Sequence, residues 1–250
     1  MTSATEPALR ARGLTRRFGA RTVVDRLDLE VARGEIVGLL GPNGAGKTTT
    51  FKMVAGLLRP HGGEVSLFGA PVTGWPLWQR ARAGLGYIPQ EASLFRRLTV
   101  RQNIQFGAEA AGVPRSALAG RVDALLEQFG LVGRGDAPGA TLSGGERRRA
   151  ELARALAASP RMLLCDEPFA ALDPLSAEAV AQDLRRLAHT GVAVLLTDHD
   201  VPQSFHACDR VYIVSDGVVL VSGSPTDVAA DQRARTRYLG ERFSGPGGVG

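Results

Sequence analysis

Gly41-Pro42-Asn43-Gly44-Ala45-Gly46-Lys47-Thr48 decides how the rest of the chain is read. The stretch fits the spacing G-x-x-x-x-G-K-[ST], in which glycines let successive backbone N–H groups wrap around phosphate oxygens. Before it, Glu35 to Leu40 predicts a buried strand. After it, Lys47 to Leu58 predicts an apolar-periodic helix that stops ahead of Pro60. A loop between strand and helix is where this chemistry works, because the helix N-terminus adds partial positive charge. Lys47 is expected to reach the β and γ phosphates, and the Thr48 hydroxyl to ligate Mg2+. On its own the motif fits an NTPase or a kinase equally well.

Working outward, Leu9 to Leu29 alternates polar and apolar positions around Gly13, Gly19 and Ala20, as short antiparallel strands joined by turns would. Further strands fit Gly86 to Ile88, Met162 to Cys165, Val192 to Thr197, Arg210 to Val214 and Val218 to Val221. Helices between several of them give an α/β chain with a mostly parallel central sheet. From Ala92 to Ser159 strand signals vanish, and Val100–Ala111, Ser116–Phe129 and Gly145–Ala158 read as helices. The expected architecture is a P-loop NTPase core with a small antiparallel β subdomain and an inserted helical subdomain. It forms one domain over 1–250: core at 1–90 and 160–243, insertion at 91–159, flexible glycine-rich tail at 244–250.

Composition sets the outer bounds. A chain of 250 residues, 44% hydrophobic, can bury a sizeable core. Its longest apolar runs fall far short of the roughly 20 residues that span a bilayer, and no leader is read at the N-terminus. The two cysteines, Cys165 and Cys208, fit a reduced compartment. A net charge of +5 could favour nucleic acid or an anionic surface, but the excess is spread along the chain, and no nucleic-acid partner is expected. Lysine occurs only at Lys47 and Lys52, both in or beside the phosphate loop.

Two more stretches carry chemistry. Met162 to Glu167 is an apolar strand ending in adjacent carboxylates, which point to opposite sides. Asp166 is assigned to the metal, and Glu167 to orienting or deprotonating the attacking water. An acidic pair at a strand end can also be an ordinary helix cap. Leu142-Ser143-Gly144-Gly145-Glu146 opens a helix carrying Arg147, Arg148 and Arg149, so a hydroxyl, glycine amides and a helix N-terminus are expected to make a second anion site; taken alone, the string fits an ordinary N-capped turn as well. One chain would then hold two incomplete phosphate sites.

The order of the Lys47 loop, Gln90, Leu142 to Glu146, Asp166-Glu167, Ala171-Leu172-Asp173 and His199 resembles the ATP-binding cassette family from about Leu9 to Leu239. The resemblance implies ATP and Mg2+ as cofactors and a head-to-tail homodimer. Each ATP would lie between the phosphate loop of one chain (Gly41 to Thr48, with Thr49) and Leu142, Ser143, Gly144, Gly145 and Glu146 of the other. It further implies that Gln90 senses Mg2+ and the γ-phosphate, that His199 hydrogen-bonds the γ-phosphate, that Asp173 lies at the dimer seam and that Phe18 stacks on adenine. The family more often has tyrosine at Phe18 and serine at Ala170. For Thr197-Asp198-His199-Asp200 the plain alternative is a strand-end histidine satisfied by a neighbouring carboxylate.

Among transport cassettes the chain resembles the ATPase of lipopolysaccharide exporters, through Gly38 to Phe51, Gln90 to Leu98, Ser143 to Arg149, Asp166 to Ala170, Thr197 to His199 and the tail Tyr238-Leu239-Gly240-Glu241. The ATPase of branched-chain amino-acid importers is the rival. Non-transport cassettes need a long coiled coil or a second cassette, and this chain has neither. The resemblance implies ATP hydrolysis coupled to transport, two transmembrane partner subunits, and a cytoplasmic place on the inner membrane. Glu91 to Leu98 is read as the socket for a partner helix, with Phe95, Arg96 and Leu98 as coupling residues. The alternative is that Phe95 and Leu98 pack under their own helices.

Overall fold

The computed structural model describes residues 6–240, 243 and 245. Two long antiparallel strands open it, β1 (Leu9–Phe18) and β2 (Arg21–Val31). Their register slips around Gly13, and the turn falls at Gly19-Ala20. Strand β3 (Ile36–Leu40) and helix α1 (Lys47–Ala55) bracket the phosphate loop. Next come β4 (Gly62–Leu67), β5 (Ala70–Pro71), α2 (Leu77–Arg82) and β6 (Leu85–Ile88). Helices α3 (Val100–Ala110), α4 (Arg115–Gln128) and α5 (Gly144–Leu156) follow. The chain then alternates through β7 (Met162–Asp166), α6 (Pro174–His189), β8 (Ala193–Thr197), α7 (Val201–Ala207), β9 (Arg210–Ser215), β10 (Val218–Gly223) and α8 (Pro225–Ala230).

One sheet runs β10-β9-β3-β8-β7-β6, parallel except for β10 at its edge; the other is antiparallel, β2-β1-β4-β5. The alternation of side chains sorts the core into two layers. Ile36, Leu40, Leu163, Cys165, Val194 and Leu196 pack towards the helices α3 to α8. Val37, Leu39, Met162, Leu164, Ala193 and Leu195 pack, with Phe51, Met53 and Val54 of α1, against the antiparallel sheet. Burial on both faces explains why β3, β7 and β8 read as continuous apolar runs.

The structure corrects two details. Helix α1 ends at Ala55, three residues before the expected end, because Gly56 takes the left-handed conformation (φ 78°) and the fully buried Arg80 donates to the Met53 and Val54 carbonyls. Strands β4 and β5 had no sequence signal, since Gly62-Gly63 weakens the strand pattern and pairing with β1 supplies what local propensity lacks. The glycine-rich tail and Glu241 lie outside the described residues, except Gly245.

Candidate functional site

The phosphate loop sits at the C-terminal end of β3, where an open parallel sheet places its ligands. Gly41 has φ 148°, and a Cβ there would meet the Val214 carbonyl oxygen at 2.1 Å; Gly46 has φ 106°, and a Cβ would meet the Val23 carbonyl oxygen at 2.7 Å. Only glycine fits either position. Gly46 also starts α1 without a side-chain cap, and no acidic residue sits in the first turn, so the helix presents its N–H groups to whatever fills the loop. Lys47 Nζ folds back onto the Gly41 carbonyl at 2.5 Å and the Pro42 carbonyl at 3.0 Å. Burial lowers the Lys47 pKa, and the negative charge of Glu167 partly opposes that shift. An anion in the loop would hold the ammonium charged.

At the ends of β7 and β8, Asp166 Oδ1 accepts from the Thr197 hydroxyl at 2.8 Å while its carboxylate stays buried. Glu167 takes φ 49°, an unfavourable conformation for a non-glycine residue, pinned by its N–H donating to the Thr197 carbonyl at 2.8 Å. That turn lifts its carboxylate off the strand line. Glu167 Oε2 accepts from Gln90 Nε2 at 2.8 Å and lies 3.2 Å from His199 Nδ1. The fold thus brings Gln90, Glu167 and His199 together from three separate segments, with Lys47 close enough to feel the glutamate's charge. His199 Nδ1 also lies 3.6 Å from Asp198 Oδ1, so two carboxylates face the ring.

Residues that sequence reasoning passed over hold this cluster in place. Arg148, buried on α5, donates to Glu151 Oε2 at 3.0 Å, to the Pro89 carbonyl at 3.1 Å and to the Glu167 carbonyl at 3.3 Å. Glu151 Oε1 in turn accepts from the Ser93 N–H at 2.6 Å. A single buried ion pair therefore ties the helix after Ser143 to the Gln90 segment and to Glu167. Its only sequence trace is the i, i+3 spacing of opposite charges. Asp198, 1% exposed, accepts backbone N–H bonds from Phe169 at 3.0 Å, His199 at 2.8 Å and Asp200 at 2.9 Å. Burial raises its pKa, against the pull of those three donors. In Asp198→Asn the amide N–H must face one of these donors, so the variant is expected to lose about 1–3 kcal/mol of stability. A thermal melt checks this; an unchanged midpoint would contradict it.

Locally, the Ser143 stretch opens α5 as an N-capped turn, the plain reading of this stretch. Ser143 Oγ accepts from the Glu146 N–H at 3.2 Å, and Glu146 Oε2 accepts from the Ser143 N–H at 2.9 Å, closing a capping box. That Ser143 N–H bond leads the causes holding the Glu146 carboxyl below its ordinary pKa. Gly145 packs on Ser176, where a Cβ would come within 2.5 Å of the hydroxyl. Asp173 caps α6, accepting from the Ser176 N–H at 3.0 Å and its hydroxyl at 2.6 Å, and the hydroxyl bond leads in lowering its pKa. Among the described residues, no hydrogen bond or ion pair joins Ser143–Glu146 to the phosphate loop. Phe18 stands 49% exposed at the end of β1, with the Arg16 guanidinium 4.9 Å from its ring centre.

Residues 91–98 run as a loop between β6 and α3. Asn103 holds it by accepting from the Phe95 N–H at 2.8 Å and donating to the Phe95 carbonyl at 3.1 Å. Leu94 is buried, Leu98 is half-buried, and Arg96 is exposed. The Phe95 ring is 45% exposed and meets Phe106 edge-on at 5.0 Å, which is itself 49% exposed. This aromatic pair lies on the surface. No helix among the described residues is long and apolar enough to cross a membrane, and no cluster of three His, Cys, Asp or Glu is placed to hold a metal by itself.

A profile of the ABC transporter family matches residues 24–170. A probable ABC transporter ATP-binding protein of Azorhizobium caulinodans is 47% identical over 95% of this chain and 85% of its own. The lipopolysaccharide export system ATP-binding protein LptB of Acidithiobacillus ferridurans is 46% identical over 94% of this chain and 98% of its own. Among solved structures, cbiO1 of Clostridium perfringens, described as part of an ABC transporter complex, superposes with a TM-score of 0.84 at 27% identity, covering 92% of this chain and 94% of the other.

Proposed function

The chain belongs to the ABC transporter family as an ATP-hydrolysing subunit, and from that premise we propose that two copies together power lipopolysaccharide export. The observation that carries the substrate is the match to the Acidithiobacillus export protein, which runs nearly end to end at 46% identity. Transmembrane subunits of an inner-membrane exporter complete the machine. If the chain serves that exporter, it restores growth and outer-membrane lipopolysaccharide in a bacterium depleted of its own export ATPase. Failure to do so while remaining folded and active on ATP sinks the substrate assignment and leaves the ATPase reading standing.

In the proposed cycle the amides of 41–48 and Lys47 hold the β and γ phosphates. Phe18 offers its exposed face to adenine. Thr48 and the buried Asp166, with Gln90, fit a Mg2+ ion, which keeps most of its shell as water and phosphate and needs only one or two protein carboxylates. When bound, the ion neutralises charge on the phosphates. Glu167 takes a proton from the attacking water as the water oxygen bonds to the γ-phosphorus and ADP leaves. Gln90 and His199 both address Oε2, so Oε1 carries no described protein bond and is the oxygen available to the water. Ser143 and the amides of Gly144 and Gly145 would meet the γ-phosphate of ATP bound to the second copy, with Asp173 at the seam between copies.

Residues 91–98 are proposed as the socket for a helix of the transmembrane subunits, with Phe95 as its anchor. Exposure of Phe95 favours this over packing beneath its own helices. Phe95→Ala should therefore leave melting temperature and basal ATP hydrolysis nearly unchanged while co-purification with the membrane subunits and transport are lost. A variant losing the about 3–5 kcal/mol typical of a truncated core phenylalanine, yet still holding its partners, would refute the assignment.

A further inference from the structure

At the ends of the sheet strands away from the nucleotide lies a groove that none of the chemistry above uses. Arg33 precedes β3, Pro160-Arg161 precedes β7 and Val192 precedes β8, so the groove is one strand length, roughly 16 Å, from the phosphate loop and Asp166. Its first hollow is lined by Arg33, Phe68, Arg161 and Gly191. A second hollow shares Pro160, Thr190 and Val192 with the first and continues over Leu125, Leu156 and Leu187 to Arg121. No acidic residue lines either hollow.

None of the three arginines is neutralised, and two of them are held in place. Phe68 takes φ 50°, and its ring lies under two guanidiniums, with the Arg161 carbon 3.7 Å and the Arg33 carbon 5.8 Å from the ring centre. Arg161 also donates to the Ala83 carbonyl at 3.0 Å. Arg121 donates to the Leu156 carbonyl at 2.6 Å and to Ser159 Oγ at 3.1 Å. These partners are carbonyls, a hydroxyl and a ring. Among the described residues no carboxylate forms an ion pair with Arg33, Arg121 or Arg161. Arg121 and Arg161 are thus oriented in advance, Arg33 stands exposed beside the Phe68 ring, and most donors of all three stay free, the condition under which arginine grips a carboxylate with two parallel bonds.

We propose that this groove docks an acidic, extended segment of a partner protein, with carboxylates at both ends and an apolar side chain between them. Charge complementarity selects the ends: one carboxylate on Arg33 and Arg161, another on Arg121. The floor selects the middle, since half-buried Val192, with the buried Leu125, Leu156 and Leu187 beneath the hollow, offers an apolar side chain a seat between the charges. Free phosphate satisfies the arginines and leaves the floor unused. A lipid surface meets the exposed Arg33 but not the recessed leucines. Bound there, the segment lies against the end of α6 and the start of β7 and β8, the elements that carry Asp173, Asp166 and Thr197 at their far ends.

The test uses the full chain and a fluorescently labelled peptide alternating glutamate and leucine, followed by anisotropy as salt is raised. The expected result is saturable, salt-sensitive binding that weakens about tenfold in Arg33→Glu. ATP hydrolysis by that variant stays at the parent rate, and amide exchange at 156–161 and 187–192 slows with peptide in the parent chain. The proposal is overturned if a glutamine-for-glutamate peptide binds equally well, if Arg33→Glu binds like the parent, or if no saturable binding occurs. Binding of inorganic phosphate or of phosphatidylglycerol vesicles, but not of peptide, overturns it in favour of a free anion or a membrane.

Discussion

Glu167→Gln is expected to lower steady-state ATP hydrolysis by about 10²–10⁴-fold, the range for loss of a positioned general base, while ATP still binds. Glutamine keeps the shape of the side chain and can still bond Gln90, so neither the φ 49° turn nor the Thr197 carbonyl bond need change. What it loses is the ability to take the water's proton. The phosphate loop is untouched, so nucleotide affinity measured by fluorescence should stay within a few-fold of the parent. Near-normal turnover would remove Glu167 from its assigned role, and loss of ATP binding would point to a distorted site.

The second large effect is restoration of activity on mixing two inactive chains. Lys47→Ala removes the cation of the phosphate loop, and Ser143→Arg fills the second anion site with a bulky cation. Each alone should be almost inactive. In a mixed dimer one site combines the sound phosphate loop of one chain with the sound Ser143 segment of the other, so random pairing should recover about a quarter of the parent activity. Ser143→Arg also loses a helix cap worth about 1 kcal/mol, so its melt is measured alongside. No recovery, with both variants folded, would mean that the two halves do not act across a pair.

How much of this could be read from sequence depends on how local each feature is. Asp166-Glu167 is visible as a pair, but Glu167 is set by a left-handed turn pinned to the distant Thr197, not by strand parity. The phosphate loop and the capped turn at Ser143–Glu146 are each defined within a few residues, because backbone amides fix their geometry. The alternating helices and strands were legible for the same reason. Arg148 and Glu151 could not be read as a brace, since their partners Pro89, Ser93 and Glu167 are distant in the chain. The donors to Asp198 include Phe169, 29 residues away, so a carboxylate beside a histidine looked like a simple neighbour. Helix α1 is shorter than its apolar period suggests because the buried Arg80 that takes its last carbonyls comes from a later segment. Phe95 was ambiguous for a related reason: sequence shows an apolar residue between arginines, and only the fold shows the ring outside.

The proposed function rests on two incomplete phosphate sites per chain that only a second copy completes. Light scattering of Glu167→Gln with and without ATP, combined with a count of bound nucleotide, tests it most directly. ATP is expected to convert single chains into dimers holding two ATP, and adding Ser143→Arg to the same chain to abolish the dimer while each monomer still binds nucleotide. A Glu167→Gln chain saturated with ATP that remains monomeric would contradict it.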